Sequence, residues 1–221
     1  EAGAKSSWAG GRLRSNLAIY WYDLKGLQVF SFLPLTGQIG VPPQVLSNAA
    51  GSRNRGVELE IAALLTDRVT LSASVGYTDA KYTDYVVPLT RGATTTQVDF
   101  SGNRLPRTPK VTATAALSVT LAESAGSRLK FDTDWNYKSK TYYSVFNFNS
   151  SIAPARAVGN VRVTWERTDA AWGAWVGVDN VGDRRYETVV YQYDNDFVTP
   201  LFGSPRVWTA GVRHRWGAES R

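Results

Sequence analysis

Two pairs of carboxylates stand two residues apart in this sequence, Glu58 with Glu60 and Asp132 with Asp134. In a β-strand this spacing places both side chains of a pair on one face, about 7 Å apart. Such pairs could perform acid–base chemistry or hold a metal ion. They also suit the wet side of a sheet, where they would face cations on neighbouring strands: Arg14, Lys130, Lys138 and Arg162. We favour the second interpretation, in which these charged residues line a polar lumen: Glu58, Glu60, Lys130, Asp132, Asp134 and Arg162.

Few other residues could do chemistry. The chain has no Cys and a single His, His214, which rules out disulfides, Cys-ligated zinc and thiol catalysis and argues against His-cluster metal sites. Residues 194–196 (DND) lack the spacing of a calcium-binding loop. Gly10 and Gly11 do not follow a strand and open a helix, as a phosphate-binding loop would. We therefore expect no catalytic residue, no metal and no cofactor, and a protein that is not an enzyme.

The composition is that of a folded chain. Of the 221 residues, 43% are hydrophobic and 20% are charged, which excludes an intrinsically disordered protein. The 25 basic and 19 acidic residues leave a formal charge of +6, but the basic residues form no long run, so we expect no nucleic-acid partner. No stretch approaches the eighteen apolar residues of a membrane-spanning helix. The absence of Met, even at position 1, indicates a processed product or a piece of a longer chain.

Apolar and polar residues alternate along most of the chain, which is the period of a β-strand. Between 129 and 143 one set of alternate positions is apolar or neutral, whereas the other carries Lys130, Asp132, Asp134 and Lys138. The pattern predicts eight strands, at 13–21, 57–63, 69–78, 111–121, 129–143, 160–166, 172–179 and 207–216. Most approach the roughly ten residues that a tilted strand needs to cross a bilayer, whereas soluble strands average about five or six.

The predicted connections alternate between short and long. Short ones lie at 8–11, 66–68, 123–127 and 168–170, and long ones at 33–53, 84–104, 146–155 and 188–205. In an up-and-down antiparallel sheet, all the short turns then fall at one end and all the long loops at the other. This asymmetry is typical of bacterial outer-membrane barrels, which have periplasmic turns and extracellular loops.

Aromatic residues cluster at the ends of the predicted strands. Trp8, Trp165, Trp172 and Trp216 lie next to short turns, and Trp21 and Tyr77 are among those next to long loops. Amphipathic rings favour the boundary between membrane and water, so two such groups are expected of a transmembrane barrel. The alternative is the aromatic core of a soluble β-sandwich, which would place such rings in the middle of its strands.

Several segments, in this order and spacing, resemble the late barrel of TonB-dependent outer-membrane receptors. They are GAKS at 3–6, GRLRSN at 11–16, GVELE at 56–60, LTDRVTL at 65–71, GYTDAKY at 76–82, LPRTPK at 105–110, GVDNVGDRRY at 177–186 and GSPRVW at 203–208. The resemblance implies an all-β, antiparallel, up-and-down transmembrane barrel. Residues 1–221 would be the C-terminal part of that barrel, the last eight of 22 strands, without the plug domain and earlier strands, and residues 1–7 would end a preceding strand.

The last strand also resembles the signal that the barrel-assembly machinery reads. In this resemblance Thr209 is the polar position, Gly211 the glycine and Trp216 the final aromatic residue. The sequence departs from the pattern in two places. His214 stands where a hydrophobic residue is usual, and residues 217–221 follow the aromatic that normally ends such chains.

The resemblance implies a receptor in the bacterial outer membrane for active uptake of a scarce nutrient, a ferric siderophore or similar chelate. Its partners would be outer-membrane lipid, the plug, the energising TonB complex, the barrel-assembly machinery and the ferric chelate. The long loops would form the ligand mouth, with these candidate residues: Tyr142, Tyr143, Phe146, Tyr191 and Tyr193. Two alternatives stay open: a complete eight-stranded barrel acting as an anchor or adhesin, and a barrel enzyme with a catalytic site at the external rim.

Overall fold

A computed structural model describes residues 1–32, 44–91, 94–124, 126–167, 171–192 and 198–216. Its strands are β1 (Ala2–Trp8), β2 (Leu13–Phe32), β3 (Gln44–Thr66), β4 (Val69–Asp84), β5 (Val86–Arg91), β6 (Thr94–Asp99), β7 (Val111–Ser124), β8 (Ser127–Lys138), β9 (Thr141–Tyr142), β10 (Ile152–Ala153), β11 (Arg156–Arg167), β12 (Trp172–Asp179), β13 (Glu187–Gln192), β14 (Val198–Phe202) and β15 (Val207–His214). Two 3-10 turns, Ala9–Gly11 and Asn149–Ser151, complete the elements found in these ranges. Within the same ranges, no helix has the length and apolar character needed to cross a bilayer.

Nine strands form one antiparallel sheet in the order β1-β2-β3-β4-β7-β8-β11-β12-β15. Each strand pairs with the next long strand of the chain, so the sheet is an up-and-down meander. All eight predicted strands are present, and residues Ala2–Trp8 form a ninth long strand of the sheet, β1. The all-β, antiparallel prediction is therefore confirmed. Strands β1 and β15 lie at the two ends of the order, and the nine strands form an open wall.

The two ends of this wall differ as the sequence predicted. The short connections, between β1 and β2, β3 and β4, β7 and β8, and β11 and β12, all fall at one end of the sheet, which we call the turn end. The longer connections lie at the opposite end, which we call the loop end. Three of the long connections carry short hairpins of their own, formed by β5 with β6, β9 with β10, and β13 with β14.

The ribbon of β2 and β3 is longer than the sequence suggested. We expected a loop over 33–53, but β3 already begins at Gln44 and pairs with β2 from there, Gln44 opposite Phe32. The segment 44–55 does not alternate cleanly between apolar and polar residues. Its pairing rests on backbone hydrogen bonds between the strands, which leave no period in the sequence.

The strand predicted over 129–143 is also corrected, because β8 ends at Lys138. Up to Lys138 it pairs with β7 on one side and β11 on the other. At Ser139 the chain closes against the start of β7, where the Ser139 hydroxyl accepts a hydrogen bond from the Val111 amide at 3.0 Å. Beyond this point the chain leaves the sheet, and residues 141–142 pair with β10 instead.

The buried core lies among the long connections rather than between two sheets. Its members come from β2, β4, the β5–β6 hairpin and the loop after β8: Val29, Tyr82, Tyr85, Val87, Phe100 and Val145. Phe100 packs against Tyr85 and Phe146, with ring centroids 5.9 and 4.8 Å apart. This loop core fixes the shape of the loop end, whereas the long strands below it form a single layer.

Candidate functional site

One face of the sheet is apolar across every strand. Directly paired residues share a face, and the register carries one row from Leu13 through Ala63, Leu71, Leu117, Thr133, Val161 and Val178 to Trp208. Many apolar side chains on this face are exposed, including Ile19, Val57, Val75 and Val212. An exposed apolar surface of this extent needs a non-aqueous partner. We call it the apolar face.

Two groups of aromatic residues border the apolar face. At the turn end lie Trp8, Trp165, Trp172 and Trp216, and at the loop end lie Trp21, Tyr77, Trp135 and Trp208, and all eight are exposed. Trp216 is 87% exposed and stands edge-on to the ring of His214, 4.4 Å away. His214 also packs against Trp172, with ring centroids 4.2 Å apart. His214, the one histidine of the chain, thus packs within the aromatic group at the turn end, far from the loop end.

The opposite face is polar and carries the six charged residues assigned to the lumen. The register places Glu58 and Glu60 on β3, Lys130, Asp132 and Asp134 on β8, and Arg162 on β11, with Asp132 directly opposite Arg162. Asp132 thus faces one of the expected cations, whereas Glu60 and Asp134 are bound by amides. Asn16 donates to Glu60 at 3.1 Å, and Asn160 donates to Asp134 at 2.8 Å. None of the ion pairs found in the described ranges includes these four carboxylates.

The carboxylate pairs do not assemble a metal centre in the described parts of the chain, where no three His, Cys, Asp or Glu side chains converge. Each pair stays spread along its own strand. Small polar residues stand directly opposite two of the carboxylates, Ser74 opposite Glu60 and Ser118 opposite Asp132. The polar face is therefore a surface of hydroxyls, amides and separated charges, and its role as a lumen wall stays a prediction.

The last strand, β15, carries the three residues proposed as an assembly signal. Thr209 and Gly211 lie on the polar face, paired with Gly177 and Trp175 of β12. The Thr209 hydroxyl is buried and has no hydrogen-bond partner within the described residues. The indole of Trp175 lies against Gly211, so an added Cβ there would sit 2.1 Å from a ring carbon. Packing against Trp175 therefore explains on its own why position 211 is a glycine. The role of Gly211 in assembly stays a prediction.

The loop end presents rings paired with cations. Arg107 lies over Tyr143, Lys140 over Tyr142, Arg156 over Tyr186, and Arg185 over Phe202, at 4.1 to 5.9 Å from the ring centroids. The Tyr143 hydroxyl donates to the backbone oxygen of Thr188 at 2.6 Å, which ties two long loops together. Arg156 also donates to the backbone oxygen of Glu187. We call these four pairs the cation–aromatic mouth.

The predicted mouth residues fall into different environments. Tyr142 and Tyr143 belong to the cation–aromatic mouth, and Tyr191 is exposed on the β13 hairpin strand. Phe146 instead packs into the loop core, between Phe100 and Phe148. Tyr193 lies outside the described residues. Sequence reasoning missed the cations of the mouth, although Arg107, Lys140 and Arg185 lie in or beside the segments that predicted the loops.

Asparagine side chains hold the loops over the polar face. Asn180 is buried at a φ of 52°, accepts from the Arg184 amide at 2.9 Å, and donates to the backbone oxygens of Arg184 and Ser204 at 2.9 and 3.1 Å. Its own amide donates to Asn160 at 3.0 Å. Because Asn160 also binds Asp134, a continuous hydrogen-bonded chain runs from the polar face to the loop.

We expect Asn180→Ala to loosen the connection between β12 and β15. The change removes three partly buried hydrogen bonds of the Asn180 side chain and puts alanine at a positive φ, a local loss of about 1–3 kcal/mol. Limited proteolysis of intact outer membranes should cut within 180–206 several-fold faster than in the unaltered protein. Asn136→Ala, at an exposed position of β8, is the matched control. Equal cleavage of both variants would contradict the tethering role.

Hydrogen bonds around Ser101 fix the end of the β5–β6 hairpin. The backbone amide of Ser101 donates to the Asp99 carboxylate at 2.8 Å, and the Ser101 hydroxyl accepts from the Tyr85 amide at 3.0 Å. Hydrogen bonds from Ser101 hold the pKa of Asp99 below its ordinary value. The carboxylate therefore stays ionised at neutral pH and keeps the end of β6 fixed against the loop core.

A family model described as "TonB dependent receptor-like, beta-barrel" matches residues 1–181. The match covers most of the chain, so the chain belongs to the TonB-dependent receptor β-barrel family, as the sequence segments suggested. This is a family of transport receptors, not of enzymes, and its barrels are outer-membrane proteins. The outer membrane is therefore the environment that the apolar face meets. In outer-membrane barrels the short turns are periplasmic and the long loops extracellular.

Solved structures of outer-membrane receptors share the fold, and three of them illustrate the match. The siderophore receptor PiuA from Acinetobacter baumannii matches with a TM-score of 0.71 at 21% identity, over 95% of this chain and 26% of that chain. The ferric yersiniabactin uptake receptor FyuA from Yersinia pestis matches with a TM-score of 0.75 at 20% identity, over 96% and 28%. The ferric preacinetobactin receptor BauA from Acinetobacter baumannii matches with a TM-score of 0.66 at 19% identity, over 95% and 28%. The chain thus spans little more than a quarter of each of these proteins.

Proposed function

We propose that this chain is the C-terminal barrel part of an active importer for a ferric siderophore or a similar metal chelate, energised through TonB. The parent barrel would have 22 strands and a plug, and this chain would supply the last eight of those strands. Support comes from the family, from the short span of the chain within the structures it matches, and from the chemistry of the loop end.

The cation–aromatic mouth is the observation that carries this proposal. Four rings, each with an Arg or Lys over its face, stand among the extracellular loops. Aromatic faces bind flat, apolar groups, whereas guanidinium and ammonium groups bind negative charge. A ferric chelate that is anionic and has planar ligand groups meets both requirements. The polar face below the mouth would then border the path that the ligand follows.

Neither alternative function gains support from a specific feature. A complete eight-stranded barrel would need its first and last strands to pair, but β1 and β15 stand at opposite ends of the described sheet. A barrel enzyme would need an acid, a base and a nucleophile together at the external rim. The single histidine instead packs between Trp172 and Trp216 at the turn end.

The test is iron uptake by cells that carry the full-length receptor, compared with a strain that lacks its gene. Radioactive iron is supplied as ferric citrate, a ferric tris-catecholate or a ferric hydroxamate. We expect receptor-dependent accumulation from at least one probe, and we expect an uncoupler of the inner membrane to abolish it. A folded receptor in the outer membrane that raises uptake of none of the three chelates would contradict the proposal.

Variants of the mouth sharpen the same experiment. Arg107→Gln and Arg185→Gln together remove two of the cations over rings, and we expect about a tenfold weaker affinity for the transported chelate. Arg213→Gln on β15, on the polar face near the turn end, is the control that lowers the net charge without touching the mouth. Equal affinity in the mouth variant and the control would remove the mouth from ligand binding.

A further inference from the structure

A cluster of ionic side chains lies on the same side of the sheet as the apolar face, just beyond the aromatic group at the loop end, which we call the upper border. The register places Trp21 opposite Arg55 and Arg55 opposite Asp79, and it places Asp23 opposite Arg53 and Arg53 opposite Lys81. Alternate positions of a strand share a face, so all of these side chains point the same way as Ile19, Val57 and Tyr77. We call this set the upper ion cluster: Asp23, Arg53, Arg55, Asp79, Lys81 and Arg104.

The two carboxylates of the cluster are held by its cations. Arg53 grips Asp23 with two hydrogen bonds, of 2.9 and 3.2 Å. Asp79 is largely buried and binds Arg55 at 3.1 Å and Arg104 at 3.2 Å. Lys81 stands 3.8 Å from Asp79. Both carboxylates are therefore already neutralised inside the cluster.

The cations outnumber the carboxylates by four to two, and three of them are available to a further anion. The side chains of Arg53, Arg55 and Lys81 are 46%, 53% and 46% exposed, whereas Arg104 is 12% exposed. Arg53 and Lys81 stand directly opposite each other on β3 and β4. Asp23 and Asp79 each bind cations of the cluster but leave it an excess of two positive charges, and an anion placed between Arg53 and Lys81 would balance this excess.

The ring of Trp21 lies beside two of these cations. The guanidinium carbons of Arg53 and Arg55 lie 5.3 and 5.9 Å from its centroid. An indole at the upper border lies at the level where hydrocarbon meets headgroups. The cations beside it therefore stand at headgroup level, on the outer surface of the wall and away from the lumen.

We propose that the upper ion cluster binds the phosphate groups of a lipid headgroup in the outer leaflet of the outer membrane. A guanidinium fork matches the oxygens of a phosphate bidentately, and a lysine adds a point charge beside it. The site lies outside the barrel, apart from the cation–aromatic mouth. It anchors the receptor to its surrounding lipid and takes no part in binding the transported chelate.

The test measures lipid binding by the purified full-length receptor in mild detergent, followed by native mass spectrometry. The probes are a diphosphorylated glycolipid, the same glycolipid without phosphate, and inorganic phosphate. We expect retention of the phosphorylated glycolipid only, with retention falling as ionic strength rises. The triple variant R53Q/R55Q/K81Q should lower this retention at least about tenfold, because three charge-assisted contacts are lost.

The control variant R14Q/K130Q/R162Q removes the same charge from the polar face, and it should retain the lipid as the unaltered receptor does. Lys81→Gln alone leaves every hydrogen bond of the cluster intact and should still weaken retention several-fold, which separates binding from folding. Equal loss in the control and cluster variants would overturn the proposal. So would equal retention of the glycolipid without phosphate, or displacement of the lipid by an equal concentration of inorganic phosphate.

Discussion

Leu117→Arg should destabilise the folded receptor in lipid by about 2–4 kcal/mol, the penalty for an arginine at the midplane of a barrel's lipid-facing surface. Leu117 stands midway along β7, on the apolar face, with Leu71 and Thr133 as its direct neighbours across the sheet. An arginine there has no water and no carboxylate within the row. The effect is large because the charge must be desolvated or must drag water into the hydrocarbon.

The adjacent position provides a matched control. Ala116 faces the polar side and stands directly opposite Asp134, so Ala116→Arg gains a carboxylate neighbour and should change the stability by less than about 0.5 kcal/mol. Urea unfolding of the full-length receptor in lipid vesicles, followed by tryptophan fluorescence, measures both variants. A greater loss for Ala116→Arg than for Leu117→Arg would reverse our assignment of the two faces.

Gly211→Ala should lower stability by about 1–3 kcal/mol through overpacking against the Trp175 indole. The three atoms nearest to an added Cβ all belong to that ring, at 2.1, 2.3 and 2.7 Å. Gly173→Ala, on the same face of the neighbouring strand, would meet its nearest atom at 3.6 Å and should be close to neutral. The glycine of β15 is therefore required by a single neighbouring side chain.

A second substitution separates packing from assembly. If packing sets the cost, Gly211→Ala adds little when Trp175 is already alanine, and the double-mutant cycle gives a coupling energy of about 1–3 kcal/mol. If the assembly machinery reads Gly211, the variant still inserts slowly in the Trp175→Ala background. Urea unfolding gives the first quantity, and the rate of insertion into membranes that carry the assembly machinery gives the second.

Most strands of the sheet could be predicted from the sequence alone, because one face of the sheet contacts lipid and the other contacts water. The side-chain type of residues such as Leu117 and Asp132 shows which face they lie on. Apolar side chains face lipid and polar side chains face water at alternate positions of a strand. The difference between turn end and loop end follows from the spacing of these runs. The order of pairing also follows, because strands joined by short turns pair with their neighbours.

The loop end could not be read in the same way. The pairing of 44–55 with β2 uses backbone groups, and the loop core gathers Tyr82, Phe100 and Val145 from segments far apart in the chain. Asn160 and Asn16 replace the cations expected beside Asp134 and Glu60, because the register decides which side chains meet. The upper ion cluster would have been found by extending the alternation past Trp21 and Tyr77 into Asp23, Arg55 and Asp79.

The position of β1 and β15 at opposite ends of the described sheet has a thermodynamic consequence. Each presents a column of amide N–H and carbonyl groups on which none of the described strands pairs, and in hydrocarbon every unmatched group costs several kcal/mol. Such an unpaired strand edge becomes stable in a membrane only once another strand pairs with it. Closure of the ring is then an all-or-none event. A closed barrel resists unfolding until one pair of strands separates. The hydrogen bonds between the remaining strands are then lost cooperatively.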